Sequence, residues 1–380
     1  MIELDMSPEQ AILRQTVIRF LREKYDFSKR QKIIKSNNGC DETIWASFAE
    51  MGWLGIPFDE EWGGASGSRY DLVLLAESFG RALVVEPYLS TVVLGGLMIQ
   101  QHGSDAQRRK MLPDLIAGRT QVAVAFYEPK SSYDPFDVVT QVRQSGGRWI
   151  IDGKKAVVLG APSADYFVVS ARLSGGRSDH EGLALFLLEK DRPGISLRGY
   201  RTIDGRGAAE LTLTNVEATK DDLLGNEGSS GKAIAEAVEA GSLFLASEAA
   251  GAMAAALEMT ADYLNQREQY GHKLASYQAL RHRVADMYVR KQEASALVIA
   301  AVRAADSGTT EKGALVSAAK AYIGQEGRKL AEDAVQLHGA IAITDEYIVG
   351  HYLKKMIATD RMFGDVSHHL SMYYVQASQA

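Results

Sequence analysis

Apolar residues recur at helical spacing through the first third of the chain, gather into short β-rich runs through the middle, and return to helical spacing as far as the end. Ser7-Pro8-Glu9-Gln10 predicts a helix start, with Ser7 as N-cap, Pro8 in the first turn and Gln10 closing a capping box. Ile44, Trp45, Phe48 and Met51 keep the period up to Gly52, and Asp71 to Gly80 and Leu89 to His102 continue it. Gly103-Ser104-Asp105 caps a further helix reaching Leu115. After Gly118 the period changes: Val122–Phe126, Trp149–Lys154, Tyr166–Ala171, Leu183–Leu188 and Leu211–Leu213 predict strands, with Asp152-Gly153 read as a type I′ hairpin turn. From Gly231 onward the pattern predicts long Ala-rich helices, broken near Gly271, Gly308 and Gly339 and fraying at Val375–Ala380. The expected organisation is α+β: a helical domain over 1–121, a β-domain over 122–226 and a helical domain over 227–380.

Composition narrows the class. With 380 residues, 46% hydrophobic and 24% charged, the chain can bury a large core without staples. Its single cysteine, Cys40, excludes an internal disulfide and fits a reducing, cytoplasmic setting. Lys+Arg 42 against Asp+Glu 48 leaves −6, without the cationic excess that nucleic acid or an anionic membrane demands. The start carries acids and no apolar core, so no signal peptide is read there. The most apolar stretch, Leu243 to Leu257, is interrupted by Ser247 and Glu248 and predicts a buried helix rather than a membrane span. The eight histidines show no metal-ligand spacing: His368 and His369 are adjacent and should point apart, and only His282 with Asp286 makes a helical His-carboxylate pair.

The chemistry concentrates between Tyr263 and Met287. Arg267, Gln269, Tyr270, Gly271, Tyr277, Gln278 and Ala285-Asp286-Met287 resemble the central signature of the acyl-CoA dehydrogenase family. Gln336-Leu337-His338-Gly339 and Gly103-Ser104-Asp105 to Gly118 are further matches, and the resemblance covers nearly the whole chain. It implies that family's fold: an N-terminal helical domain, a middle β-barrel-like domain and a C-terminal four-helix bundle. The stretches Thr344-Asp345-Glu346 to Gly350-His351-Tyr352 and Phe363-Gly364-Asp365 look most like the small subunit of pimeloyl-CoA dehydrogenase and related heteromers for dicarboxyl or steroid side-chain thioesters.

The physical reading agrees with a dinucleotide. Arg267 can grip pyrophosphate oxygens bidentately, Gln269 and Gln278 offer amides to adenine or ribose, and Gly271 permits a sharp turn. As plain surface chemistry, Arg267 and Asp286 would be solvated charges and Gln336 a solvated amide. The resemblance implies that Arg267, Gln269, Tyr270, Leu274, Tyr277, Gln278, Gln336 and Gly339 reach the adenosine diphosphate arm of an FAD whose ring lies in a neighbouring subunit.

Against that match stand two departures. The ring-holding segments of the family correspond here to Tyr127-Glu128-Pro129, Ser132-Tyr133-Asp134 and Ala156-Val157-Val158: two small hydroxyls have become Tyr127 and Tyr133, and the stacking ring and its hydroxyl have become Ala156 and Val158. Dehydrogenation also needs a carboxylate to take the α-proton while hydride leaves the β-carbon for the flavin, yet the family's two base positions fall on Gly241 and Phe363. Glu248 is the remaining candidate base, a carboxylate on an apolar helical stripe that must be either paired or functional. The expected protein is a subunit of an FAD-dependent acyl-CoA dehydrogenase in an α2β2 assembly. A homologous partner would supply ring pocket and base, the substrate would be an acyl-CoA, and an electron-transfer flavoprotein-type acceptor would take the electrons. The alternatives are a self-sufficient enzyme using Glu248 and a flavin-free structural subunit, the latter favoured by Ala340 and Ala342 where the family prefers glycine.

Overall fold

The capping logic at the amino end holds in the computed structural model, which describes residues 6–378. Gln10 N–H donates to Ser7 Oγ while Ser7 N–H donates to Gln10 Oε1, and α1 (Pro8–Lys24) follows. After α2 (Phe27–Lys35), α3 (Glu42–Glu50) buries Ile44, Trp45 and Phe48, whereas Met51 falls beyond its end and is 48% exposed. Next comes α4 (Arg69–Ala82). The predicted helix from Leu89 to His102 is in fact a π-helical stretch, Leu89–Gly96, running into α5 (Leu97–His102). Ser104 caps α6 (Asp105–Ile116) as expected.

The middle of the chain forms one eight-stranded sheet. Its strands are β1 (Val122–Ala125), β2 (Gln141–Ser145), β3 (Arg148–Leu159), β4 (Tyr166–Arg172), β5 (Leu183–Glu189), β6 (Ile195–Arg201), β7 (Gly207–Ala218) and β8 (Leu223–Leu224). The order is β6-β7-β3-β2-β4-β5-β8, with β1 parallel to β4. Trp149, Ile151, Phe167, Phe186 and Leu211 fill its core. Asp152-Gly153 is not the hairpin turn. The turn is Gly146-Gly147, both at positive φ, and β3 runs straight through 152–153 with a bulge against β7. Gly153 is there because a β-carbon would collide with Thr140, and Asp152 Oδ1 accepts the Asn215 amide at 2.7 Å.

The remainder is helical: α7 (Gly231–Gln266), a two-stranded ribbon of β9 (Glu268–Gln269) and β10 (His272–Lys273), α8 (Gln278–Ser307), α9 (Lys312–Tyr322), a π-turn at Ile323–Gly327, α10 (Arg328–His338), α11 (Val349–Arg361) and α12 (Val366–Ala377). The carboxyl end is thus helical through Ala377 rather than frayed from Val375, and residues 379–380 lie outside the described chain. Helix α7 is long and apolar enough to cross a membrane, but 94% of its most apolar window is buried, as a core helix requires.

The chain packs as two compact units. One gathers Lys32–Gly67 and Val85–Gly241; the other gathers the residues up to Gln31, Ser68–Val84 and everything from Ser242. In the second, Met253, Met287, Val298, Leu330, Tyr352 and Met356 anchor the interior. There α4 and α7 meet backbone to backbone: a β-carbon at Gly80 would strike the Glu248 carbonyl, and one at Gly251 the Glu77 carbonyl.

Candidate functional site

In the helical unit, the proposed arm residues assemble at one end of α7 and α8. Strands β9 and β10 pair Gln269 with His272 and Glu268 with Lys273, closed by Tyr270-Gly271 with φ 56° and 79°. That is the doubly left-handed geometry of a two-residue hairpin, which Gly271 makes cheap and which leaves Tyr270 92% exposed. Leu274 N–H donates to the Arg267 carbonyl at 2.8 Å and starts a 3₁₀ turn, and Tyr277 Oη donates to the Gln269 carbonyl at 3.1 Å. Gln278 opens α8, exposed.

Gln336 and Gly339 sit at the end of α10, and a stacked pair ties that end to α7. The rings of Tyr263 and His338 lie 4.4 Å apart at 29°, one turn before Arg267 and one residue before Gly339. Burial lowers the His338 pKa, and its Nδ1 lies 2.8 Å from the Ala334 carbonyl. No hydrogen bond or ion pair among the described residues engages the side chains of Arg267, Gln278 or Gln336, so their donors are free for a ligand. Ala342, by contrast, turns its methyl into the helical core, where the β-carbon meets packing rather than the hairpin.

The two positions expected for the base, Gly241 and Phe363, both lie inside the protein. Gly241 is a buried residue of α7, and Phe363 is buried between α11 and α12 with φ 59°; neither has a group to accept a proton. Asp365 is committed as the N-cap of α12, accepting the His368 amide at 3.0 Å. Glu248, 2% exposed, meets Lys355, 3% exposed, with Nζ to Oε2 at 2.7 Å. The rings of His368 and His369 do not point apart but meet edge to face at 5.2 Å. His282 and Asp286 are both exposed and make no bond to each other. Among the described residues no group of His, Cys, Asp and Glu has metal-site geometry.

In the β unit, a buried pair holds the segments expected at the flavin ring. Lys155 Nζ donates to Glu128 Oε1 at 2.7 Å and to Ser170 Oγ at 3.0 Å, and the Glu128 carboxylate also accepts Val139 N–H at 2.8 Å and Thr140 N–H at 3.0 Å. Burial pulls the ammonium down to about 8, although Glu128 opposes it. For Glu128 burial works upward, but Lys155 and the loop donors hold it below the usual carboxylate range. Arg172 pins the neighbouring loops by donating to the carbonyls of Phe136, Arg177, Asp179 and Glu181, each at 2.8 Å. Sequence reading missed this cluster, as it missed the Tyr263–His338 stack; the available signal was parity, since Lys155 shares a strand face with Trp149 and Ile151.

The ring-facing residues differ from the expectation in one respect. A second bulge in β3, between Lys155 and Val158, turns Val158 into the sheet core and leaves Val157 48% exposed at φ 53°. Val157, not Val158, is therefore presented there, in a conformation that strains a β-branched residue. Ala156 N–H is spent on the Tyr127 carbonyl at 2.8 Å, and burial, with Asp134 nearby, pushes the Tyr127 phenol up.

Helices, a β-sheet and further helices, with an exposed two-residue hairpin between α7 and α8, follow the order of an acyl-CoA dehydrogenase fold. The chain matches the descriptions "Acyl-CoA dehydrogenase, N-terminal domain" over residues 7–119, "middle domain" over 123–216 and "C-terminal domain" over 231–370. It belongs to the acyl-CoA dehydrogenase family and is an FAD-dependent oxidoreductase. Mitochondrial isovaleryl-CoA dehydrogenase of Pongo abelii is 29% identical over 92% of this chain and 84% of its own. The steroid ACAD Tcur3481-Tcur3483 is 28% identical, with a TM-score of 0.87 over 98% of both chains. An FAD complex of PigA shares the fold, with a TM-score of 0.91 at 22% identity over 99% of each.

The donor set suits the adenosine diphosphate arm of FAD. Arg267, Gln278 and Gln336 offer unspent charged and amide donors suited to a diphosphate and an adenosine. Of the residues expected at the ring, Val157 and Ala156 bring no side-chain donor.

Proposed function

We propose that this chain is one subunit of a heteromeric acyl-CoA dehydrogenase, holding the adenosine diphosphate arm of FAD while a homologous partner supplies the ring pocket and the base. What carries the reading is the split between the unspent donors of Arg267, Gln278 and Gln336 and two expected base positions filled by Gly241 and Phe363. When bound, FAD supplies the hydride acceptor for α,β-dehydrogenation of the thioester. Arg267 neutralises and orients the diphosphate, and Gln278 and Gln336 hydrogen-bond the adenosine, joined by Gln269 once its amide leaves the Glu268 carbonyl that it meets at 2.8 Å. Tyr270, Leu274, Tyr277 and Gly339 shape the cleft backbone. The α-proton goes to a carboxylate of the partner, since Glu248 is already neutralised by Lys355.

The same reading favours a dicarboxyl or steroid side-chain thioester, an α2β2 assembly and an electron-transfer flavoprotein-type acceptor. It is supported by the Asp345–Tyr352 stretch and by the likeness to a steroid ACAD.

The test is flavin content by visible absorbance. The chain purified alone should be nearly colourless, and co-expression with its homologous partner should restore FAD. In that heteromer Arg267→Ala removes a charge-assisted contact of about 1.5–3 kcal/mol, weakening FAD binding roughly tenfold to a hundredfold. One FAD per chain in the isolated protein would defeat the proposal.

A further inference from the structure

The segment from Gly339 to Tyr352 contains a buried polar arrangement that the dehydrogenase reading leaves unused. His351, on α11, is buried with both ring nitrogens facing donors. Arg30 Nη1 approaches Nδ1 at 3.2 Å, while Arg30 Nε is fixed on the Leu83 carbonyl at 2.8 Å. Gln31 Nε2 and the Asp345 carbonyl both lie 3.1 Å from Nε2, and Gln31 Nε2 also donates to that carbonyl at 3.1 Å. The Phe27 ring closes the site edge-on at 5.0 Å.

A guanidinium can only donate, so Nδ1 must be the bare, accepting nitrogen, and Nε2 carries the proton directed at Asp345. The imidazole is therefore neutral. A second proton at Nδ1 would set N–H against N–H and cation against cation in a site with little water to screen them. The charged groups facing the ring are Arg30 from α2, Asp345 from the turn and Lys354 from its own helix, where Lys354 and Asp345 form an ion pair.

Asp345 ends the tight run that begins at Gly339: the 3₁₀ turn Gly339–Ile343 closes with Thr344 N–H on the Ile341 carbonyl at 3.2 Å. We propose that His351 is a positioning residue, a neutral-imidazole latch that fixes the Gly339–Asp345 turn and releases it on protonation, making the grip on the cofactor's arm pH-dependent. This rests on the reading of that turn as a holder of the FAD arm. Burial first, then Arg30 and Lys354, hold the imidazole below its ordinary pKa, while Asp345 pulls the other way. The folded state thus takes up its proton later than the unfolded one, so the latch contributes fully above about pH 6.5 and is lost as pH falls below it.

The experiment follows amide exchange protection of residues 340–348 in the full chain, and FAD affinity of the heteromer, from about pH 7.5 to about pH 5. In the parent, protection should fall at least about tenfold and FAD affinity should fall with it. His351→Asn, which cannot take the proton, should be flat in both. Gln31→Met, at a half-exposed position, removes the donor facing Nε2 and should move the parent's midpoint to higher pH; it serves if His351→Asn does not fold. A parent that is flat, or a His351→Asn as pH-dependent as the parent, overturns the latch. Protection that follows His351 while FAD affinity ignores it overturns its link to the cofactor. A heteromer that never binds FAD defeats the functional reading, and the positioning role with it, while the exchange data still report whether the latch exists.

Discussion

Two glutamate–lysine pairs among the described residues are buried, one in each unit, and they do different work. Glu248–Lys355 joins α7 to α11 across 107 residues of chain, with its charges on helices that already pack well. Glu128–Lys155 joins a loop to a strand, and its carboxylate also receives the amides of Val139 and Thr140, closing the loop 129–139 at its stem. The first pair neutralises a carboxylate inside a helix bundle; the second determines the path of a loop. Burial of an ion pair costs desolvation that Coulomb attraction alone rarely offsets, so the two loop amides on Glu128 tie its charge to the path of the loop.

The largest effect should therefore come from the β unit. Lys155→Met leaves Glu128 buried without its cation, and should cost about 3–5 kcal/mol of stability in urea unfolding, with Glu128→Gln added in the same chain recovering part of it. A loss no larger than about 1 kcal/mol would mean that water reaches Glu128. Glu248→Gln leaves Lys355 buried without its anion but keeps an amide oxygen able to accept from its Nζ, so it should cost about 3 kcal/mol, the low end of that range. Turnover per bound flavin in that heteromer should stay within a few-fold of the parent. A stable, flavin-loaded Glu248→Gln heteromer that fails to reduce its flavin would make Glu248 the base. The smallest effect is a slope. Lys155 has a pKa of about 8 when folded, against an ordinary 10.5. Between those values the unfolded chain binds more protons, so parent stability should rise with pH by at most about 1.4 kcal/mol per unit, and the slope should vanish in Lys155→Met.

The two pairs also differ in how they could be read from sequence. Glu248 stands out because a lone carboxylate on an apolar helical face has few explanations, but its partner, on another helix and far along the chain, leaves no local mark. Glu128 and Lys155 hide in plain polar company: Glu128-Pro129 resembles a loop and Lys154-Lys155 a solvated edge. Mistaking Asp152-Gly153 for a turn moved Lys155 out of the strand interior altogether. Strand β2 escaped for a related reason, since its largely exposed residues lack the apolar alternation that marks a strand, and in β6 that alternation runs only over Ile195 and Leu197 before Gly199. The helical ends, by contrast, were legible at Ser7 and Ser104 because capping is a local bargain between neighbours. The tight turn at Tyr270-Gly271 was legible from its glycine, whereas the Tyr263–His338 stack needed three dimensions.

The crossing of α4 and α7 at Gly80 and Gly251 has a reach beyond packing. Each glycine faces the other helix's carbonyl, so the two rods are keyed at two separate points and cannot slide or roll past one another without lifting apart. Neither position offers any reactive group, yet both tolerate no side chain at all. In any survey of permitted substitutions, they will carry the kind of intolerance usually credited to an active site.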